Sequence, residues 1–306
     1  MGAGAVGCFF GALLHRAGHD VVLIGRPGLV DAVRNSGLRL EMRDFDAHLP
    51  LQADTSPSAV RNAGLVLFCV KSGDTEIAGA EMAPFLGADA TVLSMQNGVD
   101  NAVRLSKVLQ REVVPVAVYV ATGMTSPGHV VHHGRCELVL GPAPGSEAAA
   151  QLLNAARVPA TVTPFVLDAL WTKLAINCAY NALSALTQLP YGELVKHAGV
   201  AETLLAVIDE CRTVASAAGI ALPQDLYEDT LAISQSMAGQ VSSTAHDVAR
   251  GRRSEIDFIN GYVVREGERL GVETPVNRLL HSLVTVKDAM LPDQHLSAGQ
   301  QDSTPS

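Results

Sequence analysis

Three polar side chains are evenly spaced along a segment that is otherwise apolar. Lys173, Asn177 and Asn181 are four residues apart, so on an α-helix they lie along one face. A helix this apolar is predicted to be buried, where a lysine is costly unless another group pairs with it. We interpret the stripe as a site for an anion with a reducible carbonyl, in which desolvation lowers the pKa of the lysine and makes it a general acid. The alternative is a lysine that extends to solvent above hydrogen-bonded core asparagines.

A second group of polar residues lies nearer the carboxyl end of the chain. Ser243 follows another serine, and residues 254–260 read SEIDFIN. Glu255 or Asp257 near the start of a helix would complement the helix dipole, and Ser254 could cap it. From the residues alone, these structural roles and a role in ligand binding both remain open.

The amino-terminal residues form a GxGxxG pattern, Gly2-Ala3-Gly4-Ala5-Val6-Gly7. Such glycines allow a tight turn, close approach of a pyrophosphate to the backbone, and close packing of the following helix. The helix that begins there offers unpaired N–H groups to phosphates. A helical segment and then a strand follow at the expected distance, so the pattern predicts a dinucleotide site.

Polar residues also follow three of the predicted strands. Arg26 ends the second strand, where an acidic residue would bind the ribose of NAD and a basic residue the extra phosphate of NADP, so we expect NADP. The alternative for Arg26 is a solvated loop arginine. Lys71 could reach the adenosine phosphate, and Asn97 could hold the nicotinamide ribose or the substrate, because open α/β sheets bind ligands at the carboxyl ends of their strands.

The motifs GAGAVG, VKS, QNG, WTKLAINCAYNAL, PYGEL and SEIDFING, in this order, closely resemble the 2-dehydropantoate 2-reductase (ketopantoate reductase) family. The resemblance spans residues 2–287. It implies NADPH-dependent reduction of 2-dehydropantoate to (R)-pantoate, a step toward coenzyme A. It also implies an amino-terminal Rossmann domain, an all-helical carboxyl-terminal domain, and an active site between them.

The resemblance further implies a role for each polar residue. Lys173 matches the general acid of the family. Its substrate-binding residues match Asn97, Asn177, Asn181 and Ser243. Its cofactor-binding residues match Gly2, Ala3, Gly4, Ala5, Val6, Gly7, Arg26, Lys71, Asn97 and Glu255. Tyr191 departs from the pattern, since the best-known members have a substrate-binding asparagine there, so other 2-oxo acids remain candidate substrates.

The elements that must position these residues fall into two classes. Up to about residue 165, short β-branched apolar runs alternate with helical segments, which is typical of a doubly wound parallel sheet. The strands are predicted at residues 20–24, 65–70, 91–95 and 113–120, with a hairpin-like pair at 130–132 and 137–140 around Gly134. Beyond this point long helices are predicted at residues 165–188, 200–218, 225–240 and 254–270. We therefore expect an NADP-binding Rossmann-type domain in residues 1–165, a helical substrate and catalytic domain in 166–290, and a disordered tail in 291–306.

One expected element has no counterpart in the sequence. Only Met1 stands before the glycine turn, so the first and central strand of the sheet is missing. We expect that the chain start is placed too late. If the loss is real, the alternative is a catalytically idle nucleotide-binding or dimerisation protein.

The composition of the chain argues against several classes of partner. A net charge of −9 argues against a nucleic-acid backbone or an anionic membrane surface. No apolar run approaches the roughly 20 residues of a membrane helix, and no signal peptide is recognisable. Five scattered cysteines without a CxxC pair predict neither a metal site nor disulfides. We expect a cytoplasmic oxidoreductase for a small 2-oxo acid, compatible with a homodimer; the alternative within enzymes is a related hydroxy-acid or imine oxidoreductase.

Overall fold

The computed structural model describes residues 1–291 of the chain. Its strands are β1 (Val22–Ile24), β2 (Leu38–Met42), β3 (Phe45–Leu49), β4 (Gln52–Asp54), β5 (Leu65–Phe68), β6 (Thr91–Ser94), β7 (Val114–Ser126), β8 (His129–Leu140) and β9 (Ala160–Val162). Its helices are α1 (Ala5–Arg16), α2 (Pro27–Ser36), α3 (Thr75–Met82), α4 (Asn101–Leu109), α5 (Ser146–Ala155), α6 (Val166–Thr187), α7 (Tyr191–Leu194), α8 (Val200–Ala217), α9 (Leu226–Ser236), α10 (Ser243–Ala249), α11 (Asn260–Leu270) and α12 (Pro275–Ala289). The predicted disordered tail lies, apart from Leu291, outside the described residues.

The chain divides into two compact units, Met1–Lys173 and Leu174–Ser306. The boundary falls inside α6, between Lys173 and Leu174. Unit 1 contains every strand from β1 to β9, whereas the described part of unit 2 is helical. The prediction of an α/β amino-terminal part followed by a helical part is therefore confirmed.

The strands of unit 1 pair mostly in parallel. One sheet has the order β3-β2-β8-β7-β6-β5, with β9 beside β8, and β1 pairs with β4 in a separate two-stranded sheet. The pairs β2–β3 and β7–β8 are antiparallel, and the other pairs are parallel. The predicted parallel sheet is thus confirmed for most strand pairs, and the two antiparallel pairs lie on the side of β2, β3, β7 and β8.

The sheet is interrupted between β1 and β5, and the glycine turn lies at this interruption. The Met1 amino group donates to the Leu67 carbonyl at 2.9 Å, and the Cys69 N–H donates to the Met1 carbonyl at 2.8 Å. On the other side the Gly2 N–H donates to the Ile24 carbonyl at 3.0 Å. The residues that start the turn therefore join both sheets through their backbone.

The hairpin predicted around Gly134 is wrong. Residues 129–140 form one strand, β8, which pairs along its length with β7. Val120 lies opposite Cys136 and Ala121 opposite Gly134, so Arg135 is an extra residue, and its φ of 54° is left-handed. Glycine within an apolar alternating run here allows a β-bulge rather than a chain reversal, because β7 supplies partners on both sides of it.

The single helix predicted over residues 254–270 is also wrong at its start. Ile256–Phe258 form a short 3₁₀ turn, and α11 begins only at Asn260. Ile259 interrupts the helix with φ −113° and ψ −102°. This break separates the direction of residues 254–258 from the axis of α11, so their polar side chains do not continue a face of that helix.

A common apolar core supports the sheet of unit 1. Phe9 and Phe10 of α1 are fully buried and belong to one cluster with Leu40 of β2 and with Leu138 and Leu140 of β8. Burying an aromatic or leucine side chain contributes about 1.5–3 kcal/mol, so this packing fixes α1 and its amino terminus against the sheet. Within residues 1–291, no helix has both the length and the apolar character needed to cross a bilayer.

Gly145 tests how closely the start of α5 packs against β6. It caps α5 with φ 86°, and a Cβ there would lie 2.1 Å from Thr91 Oγ1 on β6. Gly145→Ala is expected to lower the free energy of unfolding by about 1–3 kcal/mol through strain and overlap. The control is Gly28→Ala in α2, where a Cβ meets no atom within 4 Å; this change should be neutral or slightly stabilising. If both substitutions changed the free energy of unfolding in urea equally, Gly145 would not be in close contact with Thr91.

Candidate active site

The glycine turn has one glycine that the packing of the protein does not explain. A Cβ at Gly2 would lie 2.5 Å from the Val70 nitrogen, and a Cβ at Gly7 would lie 2.8 Å from the Gly2 carbonyl oxygen. Both positions therefore need glycine for the fold itself. A Cβ at Gly4 would meet no protein atom within 4 Å. The space beside Gly4 is thus open to a ligand.

The amino terminus of α1 faces the same turn. Gly4 is the N-cap, without a side-chain cap, and the first turn of α1 contains no acidic residue. The N–H groups in the first turn of a helix have no partner within it, and the helix dipole makes this end positive. Together with the space beside Gly4, this end can accept the pyrophosphate of a dinucleotide.

Arg26 and Lys71 follow the two strands that flank the turn. Arg26 is the exposed N-cap residue of α2, and only Gly25 separates it from the end of β1. Lys71 is exposed and follows β5, at the end where Val70 contacts the position of Gly2. Each cation therefore lies at a strand's carboxyl end beside the glycine turn, where a phosphate of a bound nucleotide could pair with it.

Asn97 and Lys173 are in direct contact, although 76 positions separate them. The Lys173 ammonium donates to Asn97 Oδ1 at 3.1 Å and to the Val118 carbonyl at 2.5 Å. It also lies 6.0 Å from the centre of the Tyr119 ring. Asn97 follows β6, Val118 belongs to β7, and Lys173 belongs to α6. All of these groups are in unit 1, which holds the ammonium between an amide oxygen and a backbone carbonyl.

A buried polar cluster lies next to Asn97. It consists of Ser72, Thr75, Gln96, Asn101 and Arg104. The Asn101 Nδ2 group donates to the Asn97 carbonyl at 2.5 Å and to Ser72 Oγ at 3.2 Å. Ser72 Oγ donates to the same Asn97 carbonyl at 3.1 Å, and Gln96 Nε2 donates to Thr75 Oγ1 at 2.7 Å. Ser72 and Gln96 lie within the VKS and QNG motifs, but the sequence carries no signal that these residues form one cluster, because each alone looks like an ordinary loop or helix position.

Arg104 connects this cluster to the surface. Its Nη1 donates to Asn101 Oδ1 at 3.2 Å, and its Nη2 donates to the Ser72 carbonyl at 2.9 Å. The same guanidinium forms a bidentate pair with Glu76 at 2.7 and 2.6 Å. Hydrogen bonds from Arg104 hold the pKa of Glu76 below its ordinary value of 4.5, although burial opposes this shift. The pair therefore fixes the orientation of the planar guanidinium.

Unit 2 carries the remaining part of the polar stripe on α6. Asn177 is half-buried and Asn181 is buried. The Asn181 carbonyl accepts a hydrogen bond from Ser242 Oγ at 3.3 Å, and this hydroxyl also accepts from the Ala245 N–H as the cap of α10. Ser243, the first residue of α10, is exposed. The capped amino terminus of α10 is thereby attached to α6 at Asn181.

The segment containing Glu255 is also attached to α6 within unit 2. Asn260 Nδ2 donates to the Cys178 carbonyl at 3.1 Å. Ser254 Oγ accepts from the Ile256 N–H at 3.3 Å and donates to Asp288 Oδ2 at 2.7 Å. Ser254 is not a helix cap, however, because Glu255 is the N-cap residue of the short turn and α11 begins only at Asn260. Glu255 is half-buried between these two attachment points.

Comparisons with known proteins agree over most of the chain. Residues 1–145 match the family model described as ketopantoate reductase PanE/ApbA, and residues 166–288 match that of its C terminal part. The 2-dehydropantoate 2-reductase of Archaeoglobus fulgidus is 32% identical over 290 residues, 93% of this chain and 95% of that protein.

Solved structures show the same likeness. The PanE/ApbA family ketopantoate reductase from Ralstonia eutropha JMP134 is 51% identical, with a TM-score of 0.93 over 96% of this chain and 98% of that chain. D-mandelate dehydrogenase, solved with NADH and anilino(oxo)acetate, is 24% identical with a TM-score of 0.89 over 95% and 98% of the chains. At that identity the second likeness concerns the fold alone.

The Arg104–Glu76 pair predicts a pH dependence of stability. Because the folded pKa of Glu76 is lowered, its contribution is fully present above the ordinary value of 4.5 and is lost as pH falls through the folded value. Glu76→Gln should therefore lower the free energy of unfolding near neutral pH, by no more than about 1 kcal/mol for this half-exposed carboxylate. As pH falls through the lowered folded pKa of Glu76, the stability of the variant should approach that of the wild type. Glu193→Gln, in an exposed pair with Lys196, is the control; a loss for Glu76→Gln that does not change with pH would be the contrary result.

Proposed function

The chain belongs to the ketopantoate reductase PanE/ApbA family, and from this we propose that it catalyses the NADPH-dependent reduction of 2-dehydropantoate to (R)-pantoate or of a closely related 2-oxo acid. The nicotinamide cofactor supplies a hydride to the ketone carbon of the substrate. The residues of this chain bind and orient the two ligands and provide the proton for the ketone oxygen. This is the reaction class that the polar stripe of α6 favours.

The observation that carries the proposal is the environment of Lys173. Its ammonium donates to Asn97 Oδ1 and to the Val118 carbonyl within unit 1. A lysine that extended to solvent above the core would have no need of these two acceptors. These two contacts hold the amine at a defined place, where its ammonium form can act as a general acid. We propose that Lys173 donates its proton to the ketone oxygen and stabilises the charge that develops there.

The residues at the glycine turn fit NADP. The open space beside Gly4 and the uncapped amino terminus of α1 can receive the pyrophosphate. Arg26 and Lys71 supply two cations at neighbouring strand ends for the adenosine phosphate, and the position of Arg26 is the one at which NAD would require an acid. We propose that Asn97 contacts the nicotinamide side of the cofactor and the substrate, and that Glu255 lies where the two ligands meet.

The substrate residues in the proposal are Asn97, Asn177, Asn181 and Ser243. Tyr191 leaves the identity of the 2-oxo acid open. Its ring centre lies 4.6 Å from that of Tyr180, the residue before Asn181, and burial raises the pKa of its phenol well above the ordinary value. A neutral aromatic side chain at this place favours a less polar substituent on the 2-oxo acid than an amide would. A related 2-oxo acid is therefore the second candidate substrate.

Gly4→Ala tests the fit of the cofactor separately from the chemistry. Since the added Cβ meets no protein atom within 4 Å, the melting temperature of the free protein should change by no more than about 2 °C. The methyl group would occupy the space for the pyrophosphate, so the Kd for NADPH should rise at least ~10-fold in fluorescence titrations. Gly2→Ala is the comparison, because it should impair folding itself. Unchanged NADPH affinity in Gly4→Ala would show that the pyrophosphate does not occupy the space beside Gly4.

Arg26 tests cofactor choice. Arg26→Asp should raise the Michaelis constant for NADPH and leave that for NADH unchanged or improved, because the guanidinium is assigned only to the extra phosphate. Arg43→Asp, an exposed arginine in the same unit, is the charge-matched control. Equal use of NADPH and NADH by the wild-type protein in steady-state assays would exclude the proposed preference.

Lys173→Ala tests the proton donor. Turnover should fall by about 10²–10⁴-fold while NADPH still binds, which is the usual range for loss of a general acid. Asn177→Ala and Asn181→Ala should act mainly on the Michaelis constant of the 2-oxo acid, because their amides orient it without supplying a proton. Lys196→Ala, which removes an exposed lysine that pairs with Glu193 of α7, is the control for loss of a positive charge. Near-normal turnover of Lys173→Ala would restore the solvent-extended alternative.

A further inference from the structure

The loop after β6 presents Asn97 to Lys173, and its conformation depends on groups outside the site. We call residues 96–100 the Asn97 loop. We infer that Asn101 is a positioning residue, which, with Ser72 and Arg104, holds the Asn97 loop so that the Asn97 amide oxygen stays on the Lys173 ammonium. This inference rests on the proposed function and extends it to residues for which no contact with substrate is claimed.

The Asn97 loop contains no helical or strand segment, and Gly98 has φ 100°. At its start, the Gln96 side chain bonds to Thr75 and Ser94. At Asn97 itself, the backbone carbonyl accepts from both Asn101 Nδ2 and Ser72 Oγ. A carbonyl held by two side chains fixes the peptide plane next to the Asn97 side chain. Asn101 and Ser72 thereby also restrict the direction in which the Asn97 side-chain amide points.

The orientation of Asn101 is itself determined. Its Nδ2 hydrogens have the Asn97 carbonyl and Ser72 Oγ as acceptors, and its Oδ1 accepts from Arg104 Nη1. A flipped amide would place two donors against the guanidinium and an acceptor against a carbonyl. Only 2% of Asn101 is exposed, so water does not replace these partners. The amide therefore has one favourable orientation.

Arg104 transmits this constraint from α3. Its bidentate pair with Glu76 and its bond to the Ser72 carbonyl use the Nε and Nη2 donors. Polar contacts thus run without a break from Glu76 through Arg104, Asn101 and Asn97 to Lys173. Hydrogen bonds of this kind fix the direction of each side chain, whereas an apolar core would hold α3 and α4 together without fixing the loop. Displacement of a reacting group by about 1 Å can cost 10²-fold in rate.

Asn101→Asp separates positioning from folding. The carboxylate has the shape of the amide and can still pair with Arg104, but it cannot donate to the Asn97 carbonyl. We expect kcat for the 2-oxo acid to fall at least ~10-fold, with the Kd for NADPH within ~3-fold of the wild type. Ser72→Ala, which removes the second bond to the carbonyl, should reduce kcat in the same direction but less, and it serves if Asn101→Asp fails to fold.

The matched control is Asn154→Asp. Asn154 is also in unit 1, and its Nδ2 donates to the carbonyls of Ala150 and Ala160 at 2.9 and 2.7 Å, joining α5 to β9. This change removes the same kind of bonds from an amide to carbonyls, at an exposed position, and should leave kcat near the wild-type value. Urea unfolding of both variants measures how much stability each loses, so that a loss of kcat can be compared with the loss of stability.

Hydrogen exchange supplies a readout that does not depend on activity. In the free protein, amides of a peptide covering residues 96–101 should exchange faster in Asn101→Asp than in the wild type or in Asn154→Asp. Unchanged exchange there, kcat within ~3-fold, or an equal loss of kcat in Asn154→Asp would overturn the inference. If the wild-type protein reduced no 2-oxo acid, the proposed function would fail separately, and the exchange result would still decide whether Asn101 holds the loop.

Discussion

The bond between the Lys173 ammonium and the Asn97 amide oxygen is the contact on which the site depends. It joins a helix to a loop across 76 positions of sequence, and the Val118 carbonyl of β7 completes it. An ammonium removed from water is costly unless oxygens surround it, so each element must hold its oxygen in place. The parallel pairing of β6 with β7 brings the Asn97 loop beside Val118, and the long helix α6 brings the lysine to both.

Around this contact, the protein uses polar interactions where apolar ones would suffice for stability. The cluster of Ser72, Thr75, Gln96, Asn101 and Arg104 places five polar side chains beside one loop, and most of them are buried. Such groups contribute little net stability, since their desolvation offsets much of the gain from their bonds. What they provide is one defined arrangement of the Asn97 loop. The glycine turn shows a similar division, because Gly2 and Gly7 serve packing and Gly4 leaves space.

Much of this could be predicted from the sequence where the signal is local. The spacing of Lys173, Asn177 and Asn181 identified a helix that the structure places at Val166–Thr187, and the GxGxxG pattern identified the turn. Gly134 misled because a glycine in an apolar run is equally compatible with a turn and with a bulge, and the difference lies in the pairing with β7. The contacts of Asn101 could not be predicted, because Ser72 and Asn101 meet only where two strands end side by side, 29 positions apart.

The activity that we propose for this chain is the transfer of a hydride from NADPH to the ketone carbon of a 2-oxo acid. In the most direct measurement, the purified protein is incubated with NADPH whose transferable nicotinamide hydrogen is replaced by deuterium. The substrates are 2-dehydropantoate and a panel of other 2-oxo acids, each in a separate reaction. Mass spectrometry and NMR then locate the label in the products. The account predicts a 2-hydroxy acid with one deuterium on its hydroxyl-bearing carbon. Absence of labelled hydroxy acid from every 2-oxo acid, with NADPH shown to bind, would contradict it.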